Sequence, residues 1–401
     1  MKSLAIVSLH TSPLAQPGSG DGGGMNVYVR ELATALAHAG VQCDVYTRRT
    51  SPDQPDRVDV EPGFRVRHID AGAHDLDKAD LPAVVAPFTE RLIQSLEQNP
   101  VDAIHANYWL SADAGHRAKH ELNLPLAVTF HTLGSVKAAL GDHEPVWRIE
   151  AEHQIIGCSD VVFASCDVEA EQLVEFYDTP AERIGIVPPG VDHALFSPGQ
   201  KWAARQAAGL DSSPMILFVG RIQPLKGLDI AIQSLAASST GATLVVVGGP
   251  SGEEGEAHLT DIEKMAVELG VADRIQWFPP QPHHLLSTFY RAADLCIVPS
   301  RSESFGLVAL EASACGTPVV ASAVGGLQTI VDHGRTGLLV PDRDPFMFAE
   351  AIDTIVNDEL LLIEMGDAAA RRAAGYTWRS AATRVRELFT RLDSRSLVDC
   401  R

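Results

Sequence analysis

The sequence predicts an α/β protein made of two doubly wound, mostly parallel sheets. Three observations carry this reading. Apolar strand-like runs alternate with helix-like segments along the chain, as successive βαβ units require. The alternation breaks once, at the Pro- and Gly-rich stretch Ile184-Gly-Ile-Val-Pro-Pro-Gly-Val-Asp-His-Ala-Leu-Phe-Ser-Pro198, which reads as a linker, and then restarts. The chain has 401 residues, 45% of them hydrophobic, which suits two cores rather than one.

Taken in order, the first strand is Leu4-Ala-Ile-Val-Ser-Leu9, a continuous apolar run of the kind buried on both faces of a parallel sheet. Further strands are expected at 41–46, 64–69, 102–105, 125–130 and 161–165, and helices at 26–39, 81–98, 111–121, about 146–157 and 168–177. After the linker, strands are expected at 215–219, 242–247, 274–278, 294–298 and 318–321, with helices at 227–237, 256–270, 283–292 and 306–315. A last helix, about 377–392, mixes Trp378, Val385, Leu388, Phe389 and Leu392 with arginines and reads as amphipathic. The expected division is therefore an N-terminal domain over 1–190 and a C-terminal domain over 191–375. A terminal segment, 376–401, would pack back toward the first domain. Two such domains would face each other across a cleft.

Composition excludes several classes. Lys plus Arg is 32 against 52 for Asp plus Glu, so nucleic acid and anionic membrane are not expected as main partners. Small phosphorylated ligands stay open, because local cations decide those. No apolar run approaches membrane-spanning length. Met1-Lys2-Ser3 leads straight into the first strand, leaving no room for a signal peptide. The six cysteines, at 43, 158, 166, 296, 315 and 400, show no close pair with metal-ligand spacing. Scattered in this way they fit a reducing cytoplasm, and no metal is expected.

The chemistry-bearing segments fall at strand ends. The loop from His10 to Asn26 follows the first strand and precedes a helix, where open α/β sheets bind ligands. Its five glycines let backbone amides approach an anion. Gly220-Arg221-Ile-Gln-Pro-Leu-Lys226-Gly227 follows strand 215–219 and sets two cations at a strand mouth. Ser300-Arg-Ser-Glu303-Ser-Phe-Gly-Leu-Val-Ala-Leu-Glu311 follows strand 294–298. The first-turn amides around Phe305, Gly306 and Leu307 suit a diphosphate, and Glu303 and Glu311 can accept hydrogen bonds from sugar hydroxyls. Gly248-Gly249-Pro-Ser-Gly252 ends another strand and is only a turn signal. In the first half Tyr108 follows strand 102–105, His131 and Thr132 follow strand 125–130, Lys78 lies in a loop and Arg148 opens a helical stretch. His283 and His284 read as exposed helix-start residues. No Ser/His/Asp nucleophile motif, Walker lysine loop or zinc spacing is present.

With these residues in place, the chain resembles the retaining glycosyltransferases of family 4, which are built of two Rossmann-like domains in the GT-B arrangement. The resemblance runs from residue 4 to about 390. The loop ending Gly-Ser-Gly-Asp-Gly-Gly-Gly-Met-Asn26 is similar to that of a subfamily of mycothiol biosynthesis, which transfers N-acetylglucosamine from UDP-GlcNAc to 1D-myo-inositol 3-phosphate. The resemblance implies roles residue by residue. Arg221 and Lys226 match a diphosphate clamp, Glu303 the ligand of the donor sugar hydroxyls and Glu311 that of the ribose. Gly24 matches a backbone contact near the donor phosphates, and His131 a residue near the reacting sugar. Lys78, Tyr108, Thr132 and Arg148 match the grip on the acceptor phosphate, with His10 and Asn26 at the acceptor. Arg221, Lys226, Glu303 and His131 would then be the catalytic set. The implied partners are a UDP-sugar co-substrate and a phosphorylated acceptor. No separate cofactor is required, and a homodimer is left open. Two alternatives stand beside this reading: another phosphorylated acceptor such as a hexose phosphate, and a non-catalytic nucleotide-sugar-binding protein.

Overall fold

The computed structural model describes residues 1–18, 22–251, 255–392 and 395–400. Residues 19–21 of the glycine-rich loop and Gly252 of the turn after strand 242–247 lie outside this set. The chain divides into two units. The first comprises Met1–Ala15, Met25–Pro188 and Trp378–Arg401, and the second Gln16–Gly24 with Pro189–Thr377.

The first unit holds β1 (Ser3–Val7), β2 (Gln42–Arg48), β3 (Arg57–Glu61), β4 (Phe64–Ile69), β5 (Ala103–Asn107), β6 (Leu126–Thr129), β7 (Val161–Ala164) and β8 (Ile184–Ile186). Their order across the sheet is β3-β4-β2-β1-β5-β6-β7-β8. Every pairing is parallel except β3 on β4. The order reverses beside β1, which pairs with β2 on one side and β5 on the other. That reversal opens a crevice beyond the carboxyl ends of β1 and β5, the place where such sheets take ligands. The apolar runs bury as expected: Leu4, Ala5, Ile6 and Val7 are all but inaccessible.

The second unit holds β9 (Met215–Val219), β10 (Thr243–Val247), β11 (Ile275–Phe278), β12 (Leu295–Val298), β13 (Val319–Ser322) and β14 (Gly337–Val340). The order is β11-β10-β9-β12-β13-β14, parallel throughout, with the reversal between β9 and β12. The loops after β9 and β12 are the two segments carrying Arg221, Lys226 and Glu303. In both units, the sequence-predicted ligand loops therefore emerge at the switch point.

Three strands depart from the sequence reading. β3 is an antiparallel edge strand, short and exposed on alternate residues, so it lacks an apolar run. β14 carries Gly337 and two partly exposed leucines. β8 occupies the start of the stretch read as a linker. Its Gly185 leaves room for Leu388, whose Cδ1 would stand 2.5 Å from a Cβ there. Leu388 lies on the helix Trp378–Leu392, whose Phe389 ring meets Phe163 edge-on at 6.0 Å and whose Trp378 meets Tyr28 at 5.8 Å. The apolar face of that helix is thus buried within the first unit.

The cysteines correct the sequence reading. Cys158 and Cys400 are joined, with Cα atoms 5.6 Å apart and a sequence separation of 242. Sequence spacing could not reveal the pair, because the tertiary fold brings the C-terminal segment back to the end of the helix Val146–Cys158. Cys43, Cys166, Cys296 and Cys315 are free and buried. Among the described residues, no helix is long and apolar enough to cross a membrane.

Candidate active site

Within the first unit, the polar residues at the strand ends converge on one aromatic ring. Tyr108 follows β5 and precedes the helix Trp109–Leu122, with its backbone at φ 74°. His131 follows β6 at φ 61°. Both are non-glycine residues in the left-handed region, which costs energy and is held here by surrounding structure. Part of that hold is the Tyr108 amide, which donates to the Thr129 carbonyl at 2.8 Å. The Tyr108 ring then receives the His10 ring at 4.5 Å, the Arg148 guanidinium at 5.4 Å and the Lys78 ammonium at 5.8 Å. Arg148 also reaches Thr132, its Nη2 lying 3.3 Å from the carbonyl and 3.4 Å from Oγ1. Two cations, a phenol and a hydroxyl from four separate segments thus gather in one place.

Arg148 is buried, and its partners are carboxylates. Its Nε donates to Glu152 Oε1 at 2.9 Å and its Nη1 to Glu144 Oε2 at 2.6 Å. Burial opposes its charge, but Tyr108, Glu152 and Glu144 outweigh that and hold the guanidinium above its ordinary value. Glu152 is itself wholly buried and also accepts from the Gly134 amide at 2.8 Å and from the Tyr177 hydroxyl. Neither Glu144, in the loop before the helix Val146–Cys158, nor Tyr177 stands out in the sequence, since a single acidic or aromatic residue carries no pattern. Lys78 is exposed at the start of the 3-10 turn Lys78–Val84.

Asn26 braces the glycine-rich loop, its Nδ2 donating to Thr11 Oγ1 and to the Ser12 carbonyl, both at 2.6 Å. His131 Nε2 lies 2.9 Å from Asn107 Oδ1 and its ring 4.9 Å from that of Tyr28. Burial pushes the His131 imidazole down to about 3, so it is neutral at physiological pH. His105, buried beneath it with Nε2 2.8 Å from Thr129 Oγ1, is likewise pushed down to about 3, by burial and then by His131.

The second unit assembles the other predicted set. Lys226 ends the 3-10 turn Pro224–Lys226, and its Nζ contacts Glu303 Oε2 at 2.6 Å. Arg221 Nη1 lies 3.4 Å from Ser251 Oγ, and a Cβ on Gly23 would stand 3.5 Å from Arg221 Nε. Gly306 caps the helix Leu307–Ala314 at φ 99°, a conformation that suits glycine. Gly24 belongs to this second unit, and a Cβ on it would stand 3.5 Å from Leu307 Cδ1. Phe305 is buried, with its ring 5.9 Å from that of Tyr376. The first-turn amides of the helix have no intrahelical acceptor and lie at its positive end. Gly325, at φ 48°, lets a second loop pass under Glu303: a Cβ there would fall 1.9 Å from the Glu303 carbonyl oxygen.

Glu311 is buried on the same helix and held at both oxygens. His283 Nε2 lies 2.7 Å from Oε1, and the Tyr290 hydroxyl donates to Oε2 at 2.9 Å. This corrects the sequence reading of His283 as an exposed helix-start residue: it is partly buried and faces a carboxylate, while His284 is exposed. Burial and then the Glu311 charge push the Tyr290 phenol far above its ordinary value, so it stays a donor. The pair was missed because the partners lie 28 and 21 residues from Glu311 on another helix.

The first unit therefore offers cations and hydroxyls, and the second offers cations, helix amides and paired carboxylates. Residues 23–190 match the family model "Glycosyl transferase 4-like domain" and residues 200–372 match "Glycosyl transferases group 1". The chain is 43% identical to a D-inositol 3-phosphate glycosyltransferase of Thermobispora bispora, over 96% of this chain and 94% of that one. It is 45% identical to one of Mycobacteroides abscessus, over 95% and 87%. Among solved structures it is similar to a sucrose-phosphate synthase of Thermosynechococcus elongatus, with TM-score 0.93, 32% identity, and coverage of 98% and 100%. HepE of Anabaena, solved with UDP and glucose, shares the fold at TM-score 0.80, 18% identity and coverage of 98% and 100%. With this identity over nearly its whole length and this pair of α/β units, the chain belongs to the family 4 glycosyltransferases of GT-B fold and is a nucleotide-sugar-dependent glycosyltransferase.

Proposed function

We propose that the protein is a retaining transferase that moves N-acetylglucosamine from UDP-GlcNAc to 1D-myo-inositol 3-phosphate, a step of mycothiol biosynthesis. The observation that carries this reading is the convergence of Lys78, Arg148 and Thr132 on Tyr108. Two cations and two hydroxyls suit a phosphate dianion and have no evident use for a neutral polyol. The names of the relatives quoted above support inositol phosphate as its bearer.

In this reading the donor diphosphate lies against the amides of Gly306, Leu307 and Val308, with Gly24 close by and Arg221 and Lys226 as its clamp. Lys226 exchanges its contact with Glu303 for a phosphate oxygen and stabilises the charge that builds on the leaving group. Glu303, so released, accepts from the sugar hydroxyls. Glu311 accepts from the ribose, with His283 and Tyr290 as positioning residues. The acceptor phosphate is gripped by Lys78, Tyr108, Thr132 and Arg148, with His10 and the Asn26-braced loop beside the ring of the polyol. Neutral His131 sits near the reacting sugar as a hydrogen-bonding group. We assign no protein nucleophile. The acceptor hydroxyl attacks the anomeric carbon from the face that the leaving diphosphate quits, and a diphosphate oxygen takes its proton. The products are an α-glycoside and UDP. Substrates of this kind place the work in the cytoplasm, with no cofactor beyond the UDP-sugar.

The likeness to sucrose-phosphate synthase favours one second reading, a hexose phosphate as acceptor on the same phosphate grip. The test is a panel of UDP- and GDP-sugars, each with inositol 3-phosphate, with a hexose phosphate or with no acceptor. Nucleotide release is followed and the anomeric configuration of the product is read by NMR. Acceptor-dependent UDP release giving the α-product supports the proposal. Release only with the hexose phosphate selects the second reading, and no release with any acceptor overturns both.

A further inference from the structure

A second cluster of chemistry-bearing side chains lies within the first unit, apart from the residues described above. His116, His120, Cys158 and Cys400 bring their ligand atoms within 4.8 Å of one another. His116 and His120 stand one turn apart on the helix Trp109–Leu122 and so share a face. Their rings meet edge-on at 4.9 Å. His120 Nε2 is 3.1 Å from Cys400 Sγ, and His116 Nε2 is 3.7 Å from the same sulfur. Cys158 is buried at the end of its helix, both histidines are partly buried, and Cys400 is exposed.

A disulfide needs no imidazole, and here two are aimed at one of its sulfurs. Two thiolates and two imidazoles are the donor set of a tetrahedral zinc site. With Zn–S about 2.3 Å and Zn–N about 2.0–2.1 Å, the edges of such a tetrahedron are about 3.4–3.8 Å. The imidazole-to-sulfur distances of 3.1 and 3.7 Å already lie near that range. Only the two sulfurs must part, and Cys400, the exposed one of the two, lies on the segment that follows the helix Trp378–Leu392. That segment is anchored nearby: the Val398 amide donates to Asp160 Oδ1 at 2.7 Å. Asp160 is in turn buried against Lys119, Nζ to Oδ2 2.9 Å, and accepts from the Leu126 amide at 2.8 Å. Lys119 Nζ also donates to the Cys158 carbonyl at 2.7 Å. The scaffold that would hold the ligands is therefore present on both sides of the pair.

We propose that the reduced protein binds one zinc-like divalent ion through His116, His120, Cys158 and Cys400. A dithiol reductant first opens the Cys158–Cys400 bond, giving two protein thiols and the oxidised, cyclic form of the reductant. Binding of the ion then releases two protons from those thiols. In a reducing compartment, the ion and not the disulfide would tie the C-terminal segment to the helix Trp109–Leu122.

The test uses the untagged full chain, reduced with a dithiol, freed of reductant without air, and titrated with Co2+ as a spectroscopic probe and with Zn2+ as competitor. Alkylation in denaturant reports the pair, because four thiols react when it is closed and all six when it is open. The expected result is one equivalent of Co2+ with the visible absorption of a tetrahedral site and thiolate-to-cobalt charge transfer, displaced by Zn2+. Cys400→Ser and the pair His116→Ala with His120→Ala should each lose the charge-transfer band or the stoichiometry while keeping the native circular dichroism. Cys400 is exposed, so its substitution does not endanger the fold. A pair that cannot be opened in the folded protein overturns the proposal. So does a reduced protein that takes up no stoichiometric ion, or uptake that is unchanged in Cys400→Ser.

Discussion

Replacing Arg148 separates what the residue does for the fold from what it does for the acceptor. Arg148→Met keeps most of the stem's volume and removes the guanidinium. It leaves Glu152, whose side chain is 0% exposed, without the Nε donor now 2.9 Å away. Breaking a buried pair from one side costs about 3–5 kcal/mol. Glu152 keeps the Gly134 amide and the Tyr177 hydroxyl, so the loss should fall near the lower end of that range. Adding Glu152→Gln removes the stranded charge and should return about half of it. The acceptor effect has another origin. Losing charge-assisted contacts to a phosphate should cost about 2–3 kcal/mol of transition-state stabilisation, roughly 30- to 150-fold in kcat/KM. Glu152→Gln cannot restore it. Urea unfolding and kcat/KM for inositol 3-phosphate, measured on the single and double variants, should move apart: stability recovers and kcat/KM does not. If kcat/KM recovers in step with stability, Arg148 only supports the fold and does not touch the acceptor. Lys78→Ala, at an exposed position, is the companion variant and should lower kcat/KM with no change in the urea midpoint.

Three further outcomes follow from the geometry. Lys226→Ala should lower kcat by about 30- to 1000-fold, the equivalent of about 2–4 kcal/mol, with the melting temperature nearly unchanged. A near-normal rate would remove it from the diphosphate clamp. Tyr290→Phe takes the hydroxyl from Glu311 Oε2 and should raise the donor KM with little change in kcat, at about 1–3 kcal/mol of stability. A fall in kcat alone would contradict a ribose role for Glu311. Stability should also decline on acidification. His105 and His131 are each lowered to about 3, so between that value and the ordinary 6.5 the unfolded chain binds more protons. Stability is then full above 6.5 and falls as pH drops below it. From pH 8 to 5.5 the loss is about 1.4 kcal/mol per histidine, or about 3 for both. Urea midpoints across that range check it, and a flat profile would mean that one or both rings protonate freely in the fold.

The parts of the molecule that could be read from sequence are those whose signal is local. A parallel strand buried on both faces is a short apolar run, and β1, β9 and β10 announce themselves in that way. The loops that leave them stand out because Gly, Arg and Lys collect where apolar residues stop. β8 and β14 gave no such signal, since Gly185 and Gly337 interrupt them and their pairing comes from neighbours far along the chain. β3 alternates without a core face. The site was legible to the same extent. Arg221, Lys226, Glu303 and Glu311 sit on two recognisable segments. His283 and Tyr290, which hold Glu311, act through contacts that only the tertiary fold creates; Glu144 lies only four residues before Arg148, but a single carboxylate there carries no pattern. The joining of Cys158 to Cys400 across 242 residues, beside two histidines of another helix, is the extreme case.

The most direct measurement compares acceptors. With saturating UDP-GlcNAc, kcat/KM is determined for 1D-myo-inositol 3-phosphate and for myo-inositol, with the wild-type chain and with Lys78→Ala. A phosphate held by two cations and two hydroxyls should favour the phosphorylated acceptor by at least about 100-fold. Lys78→Ala should cut that preference by about tenfold or more without altering the donor KM. Equal use of the two acceptors, or a preference untouched by Lys78→Ala, would contradict the phosphate grip around Tyr108.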